Sequence, residues 1–157
     1  MKGIFSVLVE NKDGVLSQIS GLFARRGYNI DSLAVGETEQ HDMSSMTIVS
    51  TGDQRTIDQI EKQLNKKLDI IKVRRLEENA AVIRETMLIR VAYNTTNRSS
   101  IIEICSVMGA KILSMTQKCL LIELTESPEQ VDNFVEMMRV YGIQEIQKTG
   151  AIAMAKK

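Results

Sequence analysis

The chain has 157 residues, of which 43% are hydrophobic, 25% charged and 4% aromatic, a composition typical of an ordinary soluble globular protein. Its 20 basic and 20 acidic side chains cancel, so no single-sign field is available to hold nucleic acid or an anionic membrane surface. No apolar run approaches the roughly 18 residues of a membrane span, and the N-terminus lacks a signal-peptide core. We therefore expect a cytoplasmic protein with no nucleic-acid or membrane partner.

Residue types that carry metal and nucleophilic chemistry are scarce. Cys105, Cys119 and the single His41 cannot build a usual zinc site, and two cysteines make no disulfide framework. Cys105 falls on the apolar face of a predicted helix, which favours a buried, unreactive thiol over a nucleophile. No adjacent nucleophile and base and no phosphate-binding loop are found. We expect no catalytic residue and no metal site.

The first two predicted elements are a strand and a helix. Residues 2–10 alternate with apolar side chains on both faces, which predicts a strand buried on both sides. Apolar residues then recur at helical spacing between Val15 and Phe23, with Asp13 as the expected N-cap and Gly27 just past the C-terminal end. A helix with one apolar face follows from this spacing.

A hairpin and a second helix come next. Residues 28–39 and 43–51 predict two strands around the polar tip 40–42, and a change of phase near Asp31 predicts a bend. These strands make the hairpin.

The second helix opens at Asp53, and Asp58 and Lys62 can pair on its surface at i,i+4. Residues 68–76 then close the first half as a strand.

The second half repeats this order after a polar tract of small residues. We predict a linker over residues 77–85. The elements after it are a strand around residues 87–93, a helix over 101–108, strands over 110–116 and 118–125, a helix after Ser127 and a strand over 143–154. Ser127 as N-cap followed by Pro128 makes the last helix the clearest of these predictions.

Both halves thus run strand, helix, strand, strand, helix, strand. This is the order of a ferredoxin-like sandwich, with an antiparallel sheet and two helices on one face. We predict an α+β protein of two ferredoxin-like βαββαβ domains, residues 1–76 and 86–157, joined by the linker 77–85. Each half is small and has little stability margin, which favours a homo-oligomer.

One local motif points to ligand binding. Asn11 and Gly14 lie at the first strand-to-helix turn, and Asn29 lies where the next strand begins. A helix N-terminus offers free backbone N–H groups to a carboxylate, and the two amides could complete a pocket for a free amino acid. The apolar walls of such a pocket would be Val15, Leu16 and Ile30. The alternative is that both asparagines are ordinary turn residues and that Gly14 only eases the start of the helix.

Sequence segments around this motif carry a family resemblance. The first domain resembles the ACT domain of the small regulatory subunit of acetohydroxyacid synthase, also called acetolactate synthase. The segments concerned are residues 10–16, 21–23, 26–30, 46–48 and 59–64. The resemblance continues through residues 84–88, 142–143 and 148–150, so that it covers both domains.

The resemblance implies a non-catalytic subunit that activates a large catalytic subunit and confers feedback inhibition by L-valine in branched-chain amino-acid synthesis. The large subunit would carry thiamine diphosphate, Mg and FAD, and this chain would carry no cofactor of its own. Valine would sit at the interface of an ACT-domain homodimer. The residues implied in its binding are Asn11, Asp13, Gly14, Val15 and Leu16 of one chain, facing Asn29 and Ile30 of the other.

Two other functions remain open at this point. One is an ACT-domain sensor of another amino acid that regulates a different enzyme. The other is a structural dimerisation module with no ligand. Valine, leucine and isoleucine differ by only a methylene or a branch, worth about 1–3 kcal/mol in an apolar pocket, so the sequence leaves the preference among them undecided.

Overall fold

The computed structural model describes all 157 residues, and these form two compact units. The first unit contains Met1–Ile83 together with Gly150–Lys157, and the second contains Arg84–Thr149. The sequence pattern assigns residues 150–157 to the second domain, whereas in the structure they pack on the sheet of the first unit. The tract expected as a linker is ordered, because Glu78–Ala80 form a 3-10 turn and a strand begins immediately after it.

The first unit contains four strands and two helices in the predicted order. They are β1 (Lys2–Glu10), α1 (Val15–Arg26), β2 (Ser32–Glu37), β3 (Met43–Thr51), α2 (Gln54–Asn65) and β4 (Ile70–Leu76). The strands form an antiparallel sheet in the order β2-β3-β1-β4. β1 and β3 are therefore central, and β2 lies at an edge of the sheet within this chain.

The core of the first unit lies between the sheet and the two helices. Side chains alternate across β1, so that Phe5, Val7 and Val9 are fully buried on the helix side. Each helix buries one stripe against this face: Val15, Ile19, Leu22 and Phe23 from α1, and Ile57, Ile60 and Leu64 from α2. The apolar periodicity of the sequence therefore identified the face that each element buries.

The start of α1 differs from the prediction. Gly14, and not Asp13, is the N-cap, with φ 85° and ψ −10°, and no side chain caps the first turn. A left-handed backbone at this position favours a residue without Cβ, because a side chain there would crowd the following carbonyl. The N-cap is therefore one residue later than predicted, and no side chain accepts a hydrogen bond from the N–H groups of the first turn.

The second helix shows one confirmed prediction and one that is wrong. Asp53 is the N-cap and accepts a hydrogen bond from the Thr56 backbone N–H at 2.7 Å. Hydrogen bonds from Thr56, its hydroxyl first and its N–H second, lower the pKa of the Asp53 carboxyl. Asp58, expected to pair with Lys62, is instead bound by Arg75 of β4 at 2.9 Å, because helix-to-sheet packing brings that guanidinium onto it.

The second unit has the same architecture. Its elements are β5 (Ala81–Ala92, of which residues 81–83 belong to the first unit), α3 (Arg98–Met108), β6 (Lys111–Met115), β7 (Cys119–Glu126), α4 (Pro128–Met138) and β8 (Ile143–Lys148). The strands are antiparallel in the order β6-β7-β5-β8. The predicted fold class, two ferredoxin-like βαββαβ domains, is confirmed. None of the four α-helices has the length and apolar character needed to cross a membrane.

Two local predictions in the second unit are also confirmed. Ser127 is the N-cap of α4, and its side chain accepts a hydrogen bond from the Gln130 N–H, with Pro128 in the first turn. Cys105 is buried in the core of the second unit, and burial raises the pKa of its thiol. A thiol in this environment is held in its unreactive form.

The C-terminal strand predicted over residues 143–154 is broken in two. β8 ends at Lys148, and β9 (Ile152–Ala155) begins after a turn in which Gly150 has φ 81°. β9 pairs with β5. The change of direction separates the last residues from β8, although the apolar alternation continues through the break.

Candidate functional site

The turn between β1 and α1 is fastened to the β2–β3 hairpin by Asn11. The Asn11 backbone N–H donates to the Asp42 carbonyl at 2.8 Å. Its side-chain amide donates to Glu37 Oε1 at 3.0 Å and to the His41 carbonyl at 2.9 Å. His41 Nδ1 lies 3.1 Å from the other Glu37 oxygen. Asn11 therefore has a defined structural role, and its amide nitrogen is directed at the end of β2.

An ion-paired lysine holds the other side of the same turn. Lys12 Nζ lies 2.7 Å from Asp69 and 2.8 Å from Glu10. The hydrogen bond to Asp69 and then that to Glu10 raise the pKa of Lys12 above its usual value. Because the turn is tied on one side through Asn11 and on the other through Lys12, the open end of α1 has a well-defined position.

The first turn of α1 offers unsatisfied backbone donors. The first N–H to find an acceptor within the helix is that of Gln18, which donates to the Gly14 carbonyl at 2.9 Å. A Cβ placed on Gly14 would meet nothing within 4 Å, so the space beside the cap residue is open. A helix of 12 residues carries a partial positive charge at this end. This arrangement can accept a small carboxylate.

Asn29 lies in a separate hydrogen-bonded turn before β2. Its side-chain amide donates to Asp31 Oδ1 at 2.5 Å, and its backbone carbonyl accepts from the Ser50 hydroxyl at 2.6 Å. Thr51 donates to the second oxygen of Asp31 at 2.6 Å. The turn is thus held against the end of β3, and Ile30 is half-buried against the core.

The structure does not bring the two halves of the predicted site together within one chain. Asn11 contacts Glu37 at the end of β2, whereas Asn29 precedes Ser32 at its start. Six strand residues at about 3.3 Å each separate these ends by about 20 Å. A free amino acid spans only a fraction of this distance, so the two asparagines of one chain cannot hold the same molecule.

The apolar residues expected as pocket walls differ in accessibility. Val15 is 3% exposed and belongs to the core, whereas Leu16 is 46% exposed beside the open helix end. Asp13 is exposed. The sequence pattern did not single out Val35, which is 46% exposed on edge strand β2, or Glu37, the carboxylate that meets Asn11. Strand alternation could have identified Val35, but no local signal links Glu37 to a residue 26 positions away.

Two family models match the chain, one in each half. Residues 5–72 match the AHAS small subunit-like ACT domain. Residues 84–157 match the small subunit of acetolactate synthase. The open helix end and the Asn11 and Asn29 turns all lie inside the first match.

Proteins similar over nearly their whole length bear the same description. The chain is 45% identical to a probable acetolactate synthase small subunit of Archaeoglobus fulgidus over 156 residues, 99% of this chain and 98% of that protein. It is 45% identical to the acetolactate synthase small subunit of Mycolicibacterium smegmatis over 151 residues, 96% of this chain and 89% of that protein.

The crystal structure of the acetolactate synthase small subunit from Thermotoga maritima matches with a TM-score of 0.91. Its sequence is 34% identical, and the match covers 100% of this chain and 98% of that one.

Two ferredoxin-like domains, the first of them an ACT domain, together with these relatives define a small regulatory subunit. The chain belongs to the acetolactate synthase small-subunit family.

Proposed function

We propose that this chain is the non-catalytic regulatory subunit of acetolactate synthase, that it activates the large catalytic subunit, and that it makes that subunit sensitive to L-valine. The large subunit would carry thiamine diphosphate, Mg and FAD, and this chain would bind only the amino-acid effector. The observation that carries the proposal is the open N-terminus of α1, with a left-handed glycine at its cap and Asn11 fixed beside it. Family membership supports the choice of enzyme.

The effector site is completed by a second copy of the chain. β2 is an edge strand, and an unpaired edge is a template for another strand. Two copies related by a two-fold axis would pair their β2 strands antiparallel, which sets the Glu37 end of one chain against the Ser32 end of the other. The Asn11 turn of one copy would then meet the Asn29 turn of its partner, removing the separation of about 20 Å that exists within one chain.

The chemistry of the assembled site fits a small apolar amino acid. The free N–H groups of α1 would bind the carboxylate of the effector, and Glu37 would face its ammonium group. The half-exposed side chains of Leu16 and Val35 would contact its apolar side chain. Because such walls distinguish valine from leucine or isoleucine by about 1–3 kcal/mol, we expect graded rather than absolute selectivity.

Substitution of Gly14 tests this assignment. In Gly14→Asp the new carboxylate would lie at the open first turn of α1, where it would repel the carboxylate of the effector. We expect the fold to persist and the dissociation constant for L-valine, measured by calorimetry, to rise about 10- to 100-fold. Gly14→Asn, which has the same shape without the charge, separates the steric from the electrostatic effect.

Gly109→Asp provides the matched control. Gly109 also has a left-handed backbone, with φ 72° and open space within 4 Å of the position that a Cβ would take, but it lies at the end of α3 in the other unit. Valine affinity should be unchanged in this variant. Equal affinity in Gly14→Asp and Gly109→Asp would refute the site.

Titration with four amino acids and reconstitution distinguish the alternative functions. A thermal shift with L-valine, smaller with L-leucine and L-isoleucine and none with L-serine, supports the proposal. A response to L-serine alone would indicate a sensor of another amino acid. If reconstitution with the large subunit leaves both acetolactate formation and its valine sensitivity unchanged, the chain is a structural module.

A further inference from the structure

The last residues of the chain lie on the face of the first unit's sheet that is opposite the helices. We refer to residues 150–156 as the C-terminal strap. Ala151 is 3% exposed and packs in a small apolar cluster with Ile4 and Val49. Ile152 and Met154 are instead largely exposed, so the strap turns its small side chains to the sheet and its large ones away from it. Small residues on the inner side allow the backbone of the strap to approach the sheet closely.

Two backbone donors of the strap bind hydroxyl groups of the sheet. The Ala151 N–H donates to Ser32 Oγ at 2.9 Å, and the Ala153 N–H donates to Thr47 Oγ1 at 3.2 Å. Thr47 is 5% exposed and Ser32 is half-buried, so these bonds form in a partly dry environment. Beyond them, the Lys156 N–H donates to the Ala80 carbonyl at 2.9 Å. The strap is therefore bound along its whole length.

Gly150 makes the first of these contacts possible. It has φ 81°, and a Cβ at this position would lie 2.8 Å from Ser32 Oγ and 3.2 Å from the Leu33 carbonyl oxygen. Any other residue would be strained in its backbone and would also push against β2. The strap thus contacts Ser32 and Leu33, the first two residues of β2, so closely that a Cβ on Gly150 would not fit.

The point of contact adjoins the Asn29 turn. Val49, which packs against Ala151, accepts through its carbonyl the N–H of Asp31 at 2.8 Å. The next residue, Ser50, holds the Asn29 carbonyl. The strap is therefore linked to the turn before β2 through two residues that it contacts, Val49 at the end of β3 and Ser32 at the start of β2.

We propose that the C-terminal strap positions the start of β2, and with it Asn29 and Ile30, so that effector binding and seating of the strap stabilise each other. The part of this inference that concerns the effector rests on the proposed function. The strap follows β8 in the chain after one residue, Thr149, which is the last residue of the second unit. The coupling is reciprocal, because a ligand that binds better when the strap is seated must itself favour seating.

Hydrogen exchange in the free protein tests the positioning role without any ligand. In Ser32→Ala the acceptor for the Ala151 N–H is lost, and we expect the amides of residues 29–34 to exchange about threefold faster or more. Ser32→Thr keeps the hydroxyl and should restore protection. Ser45→Ala, an exposed hydroxyl on β3 away from the strap, and Met154→Ala, an exposed side chain on the strap, are the controls and should leave exchange unchanged.

Valine titration of the full chain and of a chain ending at Thr149 tests the coupling. We expect the dissociation constant to rise about fivefold or more on truncation and to recover when a synthetic peptide of residues 150–157 is added. Far-UV circular dichroism shows whether the truncated chain is folded, and Ser32→Ala provides the same comparison in a chain of full length.

The outcomes separate this inference from the proposed function. If the amides of residues 29–34 exchange at unchanged rates in both Ser32→Ala and the truncated chain, the proposed positioning role of the strap is refuted. Equal valine affinity in the full chain, the truncated chain and Ser32→Ala overturns the coupling. Faster exchange in the variants of a protein that binds no valine supports the positioning role of the strap while refuting the proposed effector.

Discussion

Asn11→Asp is a nearly isosteric change that tests how the turn between β1 and α1 is held against the β2–β3 hairpin. The Asn11 amide donates to Glu37 Oε1 at 3.0 Å and to the His41 carbonyl at 2.9 Å. Replacing the amide by a carboxylate removes both donors and places a negative charge beside that of Glu37. The turn between β1 and α1 should then be held to the hairpin only through its backbone, where the Asn11 N–H donates to the Asp42 carbonyl.

The expected destabilisation is about 2 kcal/mol. Each hydrogen bond contributes about 0.5 kcal/mol, the lower end of the usual range, because the site is exposed. Two unit charges at the observed separation of 3.0 Å repel by about 1.4 kcal/mol in the dielectric of water, less at physiological salt. For a domain of this size the melting temperature should fall by about 10 °C.

A double-mutant cycle followed by thermal unfolding measures the effect. Combining Asn11→Asp with Glu37→Gln reverses donor and acceptor, so most of the lost stability should return. The Glu37→Gln change alone should have a small effect on stability, since an amide oxygen can still accept the bond. If the double variant is no more stable than Asn11→Asp, the two side chains do not interact as the geometry requires.

Three further predictions concern stability and reactivity. Arg75→Met should destabilise the first unit by about 1 kcal/mol in denaturant unfolding, because Asp58 loses its partner from β4; an unchanged midpoint would contradict the pair. The pKa of Asp53 is lowered in the folded state, so its contribution to stability is present above the unfolded value and is lost as pH falls through the folded one. The melting temperature should therefore decline below about pH 4, and less steeply in Asp53→Asn. A thiol reagent should modify Cys119 in the native protein and Cys105 only on unfolding, and equal rates would show that burial does not protect Cys105.

Local periodicity was sufficient to predict the elements and the faces that they bury. The alternation in β1 assigned Phe5, Val7 and Val9 to one face, and the structure buries all three. Ser127 and Pro128 marked the start of α4 correctly, because capping depends on residues only three positions apart. Predictions of this kind succeed because the sequence neighbours are also the neighbours in space.

Predictions of tertiary contacts were less reliable, because a residue can contact a neighbour in sequence or a residue far away in the chain. Asp58 had a suitable lysine one turn away, yet it binds Arg75 across the helix–sheet interface. The alternation that continues through residue 154 suggested one strand, but Gly150 turns the chain onto a different surface. In both cases tertiary packing brought an alternative partner close, and no local pattern records that proximity.

The sequence by itself pointed to the proposed effector motif, since Asn11, Gly14 and Asn29 are recognisable from their positions at the ends of elements. Only the tertiary structure decided how those residues relate to one another. Asn11 and Asn29 lie at opposite ends of β2, because the extended backbone carries the chain about 20 Å between them. The tertiary structure also revealed Glu37 beside Asn11 and the C-terminal strap beside Ser32. These contacts join residues far apart in the chain, and they exist only because the sheet places its strands side by side.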